Sequence, residues 1–474
     1  MNKKQIIHLL SLAVLGILSI AIRVPGSYAP HNLTFDEPLY VSLALQMREG
    51  LFSYNTHNFL SQCTGPLDPP DYLDNPLFKH PPLYPATIAL TYKIVELFQP
   101  AMKPYFHASY NQQTYTSTNL IYRYGVIPSL FWGLLCILYT YLTAKKCGSP
   151  STGLIAACIL TIEPVFWICS QKIWIDTMLA CLLTIFAYYF ILLIEDTRYW
   201  IHAGIALGLA CITKYPAFIA LALPVAGLFL FPQRRKYIFS ALFIAFLIFL
   251  PWGYRIASVY GTAAFSEEHC EEIAKIMVLA KKWFFPCATG FAGLIFLLKF
   301  RNRFCKFIRA KYIRLIVVSC LICICLYSAY CRQHILAFLN PFHIPRNGDT
   351  ARFFYYDPWY FYILRIIELA PVHLFFYCTL FTGYLFRCKP EVILLSVYAL
   401  LYLAAMMIWQ NPQCRYILPC IPLITVVDAL CIQRIGTLTS KKVKAGLIIA
   451  SAYVLFKTVW VGWNIAVPNN ACYF

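Results

Sequence analysis

An all-α polytopic membrane protein of about thirteen transmembrane helices is the fold this sequence predicts, on three observations. Hydrophobic residues make up 60% of the 474 residues and charged residues 12%, where a soluble domain carries about 25% charged. Apolar runs of about 16 to 21 residues recur along the chain, each long enough to cross about 30 Å of hydrocarbon as a helix. The basic residues fall in short clusters between those runs rather than on one amphipathic face, so the net charge of +19 reads as a topology signal and not as a nucleic-acid footprint.

Taken in order, Asn2-Lys3-Lys4 precedes the first run, Ile6 to Ile22. No small-residue cleavage site stands before Arg23-Val24-Pro25, so the run is expected to be a retained anchor whose start faces the cytosol. Further spans are expected at 124–144, 152–169, 177–194, 200–213, 216–231, 238–254, 284–299, 315–331, 366–386, 391–409, 416–432 and 445–463. Lys145 and Lys146, Arg198, Arg234 to Lys236, the run Arg301 to Arg314, Arg387 with Lys389, and Arg434 to Lys444 then share the cytosolic side. An odd count puts the C-terminus outside.

The interval 25–123 is expected to be one outer loop of a single 1–474 domain, with two helices lying in the interface. Leu83 to Phe98 is apolar, yet it holds Pro85, Lys93 and Glu96 and its uninterrupted apolar part is too short to span. Counting it as a span would send most later basic clusters outside. The other helix begins at Asp36-Glu37-Pro38, with Leu39, Tyr40, Leu43, Ala44 and Met47 at helical spacing. An acid in the first turn, an early Pro and Thr34-x-x-Glu37 as a capping box make an ordinary helix start. A capped start is also a rigid mount for a carboxylate, so both readings stand.

Most of the twenty cysteines lie in apolar runs and read as small buried hydrophobes; Cys320-x-x-Cys323 falls inside an expected span and reads the same way. Cys63, Cys270, Cys331, Cys414 and Cys472 are expected to see the outer compartment. The acidic stretch Glu267 to Glu272 with His269 reads as a solvated helix face before a metal site, and Asp68, Asp71 and Asp74 as a Pro-rich loop. Asn32-Leu33-Thr34 has the form of an N-glycosylation acceptor, a triplet common by chance.

Lys79-His80-Pro81-Pro82-Leu83 forms a second rigid start, because adjacent prolines fix φ and force an extended approach to the next helix. An acidic pair after the first span, a His-Pro-Pro-Leu element and an Arg opening the next span at Tyr122-Arg123-Tyr124 resemble, in order and spacing, the GT-C superfamily of membrane glycosyltransferases. That superfamily includes protein O-mannosyltransferases, aminoarabinose transferases and Rgt-like lipopolysaccharide glycosyltransferases. The resemblance extends to Gln171 to Asp176, to Gly208-Leu209 with Thr213-Lys214-Tyr215-Pro216, to Asp357 to Tyr362 and to Arg415 to Pro419. It is strongest over residues 30–220.

The resemblance implies transfer of a sugar from a polyprenyl-phosphate donor to a hydroxyl of a glycan, lipid or protein acceptor, at the outer face and by inverting displacement. No Gly-x-Gly-x-x-Gly or P-loop occurs, as a lipid-borne donor permits. Asp36 and Glu37 are then the expected catalytic carboxylates; Arg123, Lys214 and Arg415 are expected on the donor phosphate; His80, Lys79, Asp176 and Tyr416 are expected to position donor or acceptor. Aminoarabinose transferases carry an acid just before the Pro-Pro-Leu element that helps to hold a metal, whereas here the Pro-Pro pair follows His80 and the neighbouring position is Lys79, so no metal or other cofactor is firmly implied. Membrane lipids are expected neighbours, nucleic acid is not, and a bacterial inner membrane with a periplasmic site is the expected location. The competing explanations are end-of-span snorkelling for Arg123 and Lys214, helix capping for Asp176 and lipid headgroups for Arg415. For the whole chain they are a transporter or flippase, for which Glu163-Pro164 is the clearest intramembrane acid, or a GT-C-like subunit without activity.

Overall fold

This computed structural model describes residues 3–31, 33, 34, 36–50, 54, 80–106, 119–260, 340, 342, 361–381, 389–407, 413–435 and 441–466. The expected spans 284–299 and 315–331, Lys79, Asn32, Cys63, Cys270, Cys331, Cys472, Cys320 and Cys323, Asp68 to Asp74, Glu267 to Glu272, the run Arg301 to Arg314, Arg387 and Asp357 to Tyr360 lie outside the described residues. Within them every regular element is helical. The helices are α1 (Lys3–Tyr28), α2 (Asp36–Glu49), α3 (Leu83–Phe98), α4 (Leu120–Gly125), α5 (Ile127–Cys147), α6 (Pro150–Ile162), α7 (Pro164–Cys169), α8 (Ile175–Glu195), α9 (Trp200–Cys211), α10 (Ala222–Leu230), α11 (Arg235–Tyr260), α12 (Phe361–Leu369), α13 (Leu374–Phe381), α14 (Pro390–Met407), α15 (Ile421–Ile435) and α16 (Lys441–Ala466). Among the described residues seven helical stretches are long and apolar enough to cross a membrane: Leu10–Tyr28, Leu120–Cys147, Ile175–Glu195, Pro232–Val259, Pro390–Met407, Cys414–Ile435 and Ala445–Ala466. This is an integral membrane protein.

The helix starts follow from the sequence. Ser149 caps α6 in a reciprocal box with Thr152, with Pro150 at the first position, where the missing N–H costs nothing. Glu163 caps α7 by accepting from Phe166 N, again followed by a Pro, so Glu163-Pro164 breaks the run 152–169 into two helices.

α8 is the axis of the bundle: its apolar window is 78% buried, against 28% for α1 and α16 and 22% for α11. The large exposed apolar side chains of those outer helices, such as Val14, Ile17, Phe239, Phe243, Ile449 and Trp463, present the surface that lipid requires. α9 lies close on α11 because Gly204 and Gly208 leave room. A Cβ on Gly204 would stand 2.6 Å from Ala241 O, and one on Gly208 2.8 Å from Ile248 Cβ, the close approach that small residues permit between membrane helices.

The two ends of α8 differ in charge. At the Glu195 end, Lys146 pairs with Glu195, Arg234 Nε donates to Ile194 O at 2.9 Å and its Nη2 to Glu195 O at 2.7 Å, and Arg198 closes on Asp196. Three of the expected cytosolic clusters, at Lys146, Arg198 and Arg234, are thereby gathered at one end of the bundle. The other end, about 30 Å away for a helix of this length, carries Trp174 and Asp176 and meets α2, α3 and the end of α9.

α2 and α3 pack together there. Arg48 of α2 pairs with Glu96 of α3, and the Tyr40 and Tyr84 rings meet edge to face at 5.3 Å. Leu83 N donates to Ile212 O at 3.2 Å, which ties the Pro-Pro-Leu turn to the end of α9 just before Thr213-Lys214. α3 has the bounds expected from the sequence, with Leu90, Ile94, Leu97 and Phe98 exposed along it.

Candidate active site

Four charged side chains from four separate segments meet at the Asp176 end of α8. Arg415 Nη1 stands 2.5 Å from Asp36 Oδ2, and Lys214 Nζ donates to Asp176 Oδ1 at 2.7 Å. The two pairs sense each other: the Arg415 charge also acts on Asp176, and the Lys214 charge on Asp36. Asp36 belongs to the first turn of α2, Asp176 to the first turn of α8. Lys214 follows α9, and Arg415 lies in the seven-residue 3-10 segment Cys414–Cys420 that leads into α15.

Aromatic side chains line the cluster. The Arg415 guanidinium lies over the Trp174 ring at 4.7 Å and the Tyr416 ring at 5.4 Å, and Lys214 Nζ over the Tyr416 ring at 4.8 Å. Such faces hold cations at fixed places without adding a counter-charge. Gln413 Oε1 accepts from Arg415 Nε at 2.6 Å. His80 meets Tyr40, one turn on from Asp36, with Nδ1 and the hydroxyl 3.1 Å apart, and its charge is felt at Asp36.

The two acids of the Asp-Glu pair have different surroundings. Glu37 is 1% exposed and its carboxylate is filled with donors: Thr34 N at 2.9 Å, Thr34 Oγ1 at 3.1 Å and Ile173 N at 3.4 Å, with His31 Nε2 at 3.5 Å. Burial opposes its ionisation, but His31, Lys172 and the Thr34 N–H together hold the carboxyl below its usual range. Glu37 thus bolts the start of α2 to the strand of chain that leads into α8, and Trp174 Nε1, donating to Thr34 Oγ1 at 2.9 Å, adds a second bolt.

The Asp36 side chain is 20% exposed and opens away from the core. Burial pushes its carboxyl up, yet Arg415, then His80 and Lys214, outweigh that and leave it below the ordinary value. Asp36 is therefore an ionised carboxylate in reach of a ligand, which Glu37 is not.

Of the residues expected from the sequence, Asp36, Asp176, Lys214, Arg415, Tyr416 and His80 come together. Glu37 adjoins them but turns inward. Arg123, in α4, neighbours Tyr28 and its Nε has no hydrogen-bond partner among the described residues; no described contact joins it to the two ion pairs. Lys79 lies outside the described residues. Among the described residues no three His, Cys, Asp or Glu side chains are placed to hold a metal.

Sequence reasoning missed Trp174, Gln413 and Tyr40. Tyr40 carried a signal, being one helical turn from Asp36, and Trp174 lay within the segment Gln171 to Asp176; Gln413 carried none beyond its nearness to Arg415. It also missed a second cluster deeper in the bundle. His373 Nδ1 lies 2.6 Å from Asp428 Oδ2, Asp428 Oδ1 accepts from Phe376 N at 2.7 Å, and His373 Nε2 faces Glu163 Oε1 at 3.9 Å, all fully buried. Nearby, Arg23 donates to Ser170 Oγ, Ser19 Oγ and Thr161 O at 2.8, 2.9 and 3.0 Å.

The comparisons with known proteins agree with this architecture. Residues 123–254, which include Arg123, Asp176 and Lys214, match the family model described as dolichyl-phosphate-mannose-protein mannosyltransferase. The chain is similar to ArnT from Cupriavidus metallidurans bound to undecaprenyl phosphate, at 11% identity and a TM-score of 0.55 over 98% of this chain and 77% of that one. It is similar to the Archaeoglobus fulgidus oligosaccharyltransferase in its apo form, at 15% identity and a TM-score of 0.55, over 98% of this chain and 56% of that one. The oligosaccharyltransferase AglB from the same organism, in complex with an inhibitory peptide and a dolichol-phosphate, gives 14% identity and a TM-score of 0.51 over 97% and 56% of the two chains. No curated protein matches. The fold is that of the GT-C superfamily, as the ordered motifs led us to expect, and together with the family match it indicates a glycosyltransferase.

Proposed function

We propose that this chain transfers a sugar from a polyprenyl-phosphate donor to a hydroxyl of a cell-envelope glycan, lipid or protein, at the outer face of a bacterial inner membrane. One observation carries the reading: Asp36 is an accessible carboxylate, held ionised by Arg415 and framed by Asp176 and Lys214. It lies at the end of the bundle opposite the basic clusters, which belong on the cytosolic side by the charge rule. The donor class is supported by the ArnT and AglB structures, which hold undecaprenyl phosphate and a dolichol-phosphate respectively.

In the step proposed, the acceptor O–H gives its proton to Asp36 as the acceptor oxygen bonds to the anomeric carbon. The bond from that carbon to the phosphate oxygen breaks with its electron pair, and polyprenyl phosphate leaves. A carboxylate held below the usual range is a weak base, so its main work is to orient the hydroxyl and receive the proton late, as the carbon–phosphate-oxygen bond opens. Cations at the site answer the charge that grows on the leaving phosphate. One displacement inverts the anomeric centre.

The test is transfer by the purified full chain, offered polyprenyl monophosphate sugars and nucleotide sugars one class at a time, with the product anomer read by NMR. Transfer from the lipid monophosphate with inversion is expected. Retention, or activity only with a nucleotide sugar, overturns the reading.

A further inference from the structure

In the site described above, each acid already has its cation. Asp36 faces Arg415 and Asp176 faces Lys214, so neither cation can turn fully to a phosphate without leaving a largely buried carboxylate behind, a costly exchange. A further cation backs the same turn of chain. Tyr362 of α12 accepts from Gln413 N at 3.1 Å, Gln413 accepts in turn from Arg415, and the Cys414 thiol neighbours the guanidinium of Arg365, one turn on from Tyr362.

Arg365 is 5% exposed. Its Nη1 donates to Glu368 Oε2 at 2.7 Å, while Nε and Nη2 have no hydrogen-bond partner among the described residues; a thiol is at most a weak acceptor. Buried donors are normally satisfied, and an open pair on one guanidinium calls for an explanation. Nε and Nη2 form the side of the guanidinium whose parallel N–H groups grip two oxygens of one phosphate or carboxylate. Glu368 is 35% exposed, so the wall is open beside the pair. Lys457 of α16 also feels the Glu368 charge.

We propose that Arg365 is an anion-recognition residue, taking the phosphate of the lipid-linked donor on its Nε–Nη2 edge, while Arg415 and Lys214 serve to hold the two acids in place. The proposal rests on the donor class inferred under the proposed function. It shifts donor binding from the two ion-paired cations to α12, whose first two residues, Phe361 and Tyr362, close the segment Asp357 to Tyr362 while Arg365 itself lies beyond it.

Calorimetry with farnesyl phosphate as the probe, on the full chain in nanodiscs, tests both levels separately. The wild type is expected to bind farnesyl phosphate and to bind inorganic phosphate, farnesol and phosphatidylglycerol far more weakly. Arg365→Gln is expected to weaken farnesyl phosphate by about 10- to 100-fold, the worth of a charged hydrogen-bond pair, with Arg365→Lys in between. Glu368→Gln breaks the same Arg365–Glu368 pair and is expected to bind at least as tightly as wild type, whereas a merely structural role for the pair makes it as harmful as Arg365→Gln. Equal losses in those two variants, or undiminished binding by Arg365→Gln, overturn the role of Arg365 and leave the donor class standing. Wild-type protein that binds no farnesyl phosphate overturns the donor class and this proposal with it. Inorganic phosphate or phosphatidylglycerol binding as tightly as farnesyl phosphate marks an unselective anion site and overturns the assignment to the donor. A thermal unfolding scan accompanies each variant, and if Arg365→Gln does not fold, Arg365→Lys against Glu368→Gln decides the matter.

Discussion

Arg415 Nη1 lies 2.5 Å from Asp36 Oδ2, joining the start of α2 to the turn that begins the next-to-last span. The contact does two things to Asp36. It fixes the carboxylate's direction, and it favours the charged form against a burial that opposes it.

If Asp36 receives the acceptor proton, Asp36→Asn removes the base while keeping an oxygen for Arg415. Turnover is expected to fall by about two orders of magnitude or more with fold and donor binding preserved. Asn is nearly as good a helix start as Asp, so a purely capping Asp36 tolerates the change. Near-normal transfer by this variant would sink the catalytic role.

The pH profile follows with a definite sign. A depressed carboxyl pKa means that Asp36 stays ionised, and transfer stays on, until the pH falls below its ordinary value of 3.8. Its ionic contribution to stability is likewise present above that value and lost as the pH drops through the depressed one. Arg415→Gln removes the foremost of the effects opposing burial, so the acid limb of the rate profile moves to higher pH. Rate profiles of the two proteins measure the shift; coincident acid limbs would show that Arg415 does not govern Asp36.

Glu37 is expected to matter for stability more than for chemistry. Glu37→Ala strips acceptors from Thr34 N, Thr34 Oγ1 and Ile173 N, a loss of about 1 to 3 kcal/mol for buried polar groups left unpaired. Thermal unfolding is expected to come at lower temperature while the folded fraction keeps most of its turnover. A fold-neutral Glu37→Ala with turnover reduced as far as in Asp36→Asn would restore Glu37 to the catalytic pair.

His373 and Asp428 are expected to behave as a unit. Removing one partner of a buried pair leaves the other charge stranded, at about 3 to 5 kcal/mol, whereas His373→Leu with Asp428→Leu removes both. The double variant is expected to be less destabilised than the sum of the singles, in a cycle read by unfolding in detergent. Additive losses would mean that the 2.6 Å contact carries no net coupling.

The residues alone determined the membrane class, the bounds of α3 and the helix start at Asp36. Those are local matters: apolar length decides what can span, prolines and caps decide where helices begin, and basic clusters decide which ends go together. Short motifs in a fixed order were enough to expect a GT-C fold. What the tertiary structure decided is which charges meet. Thr34-x-x-Glu37 marks Glu37 as a capping acid, but that it is buried under Ile173 while Asp36 opens outward beside Arg415 follows only from α2 packing against the chain leading into α8. Arg123 and Lys214 read alike as cations at span ends, but among the described residues only Lys214 of the two finds an acid, since Leu83 N bonds Ile212 O and draws the end of α9 to the site. Charge pairing depends on a few ångströms across distant segments, and sequence spacing fixes distances only within a helix turn or two.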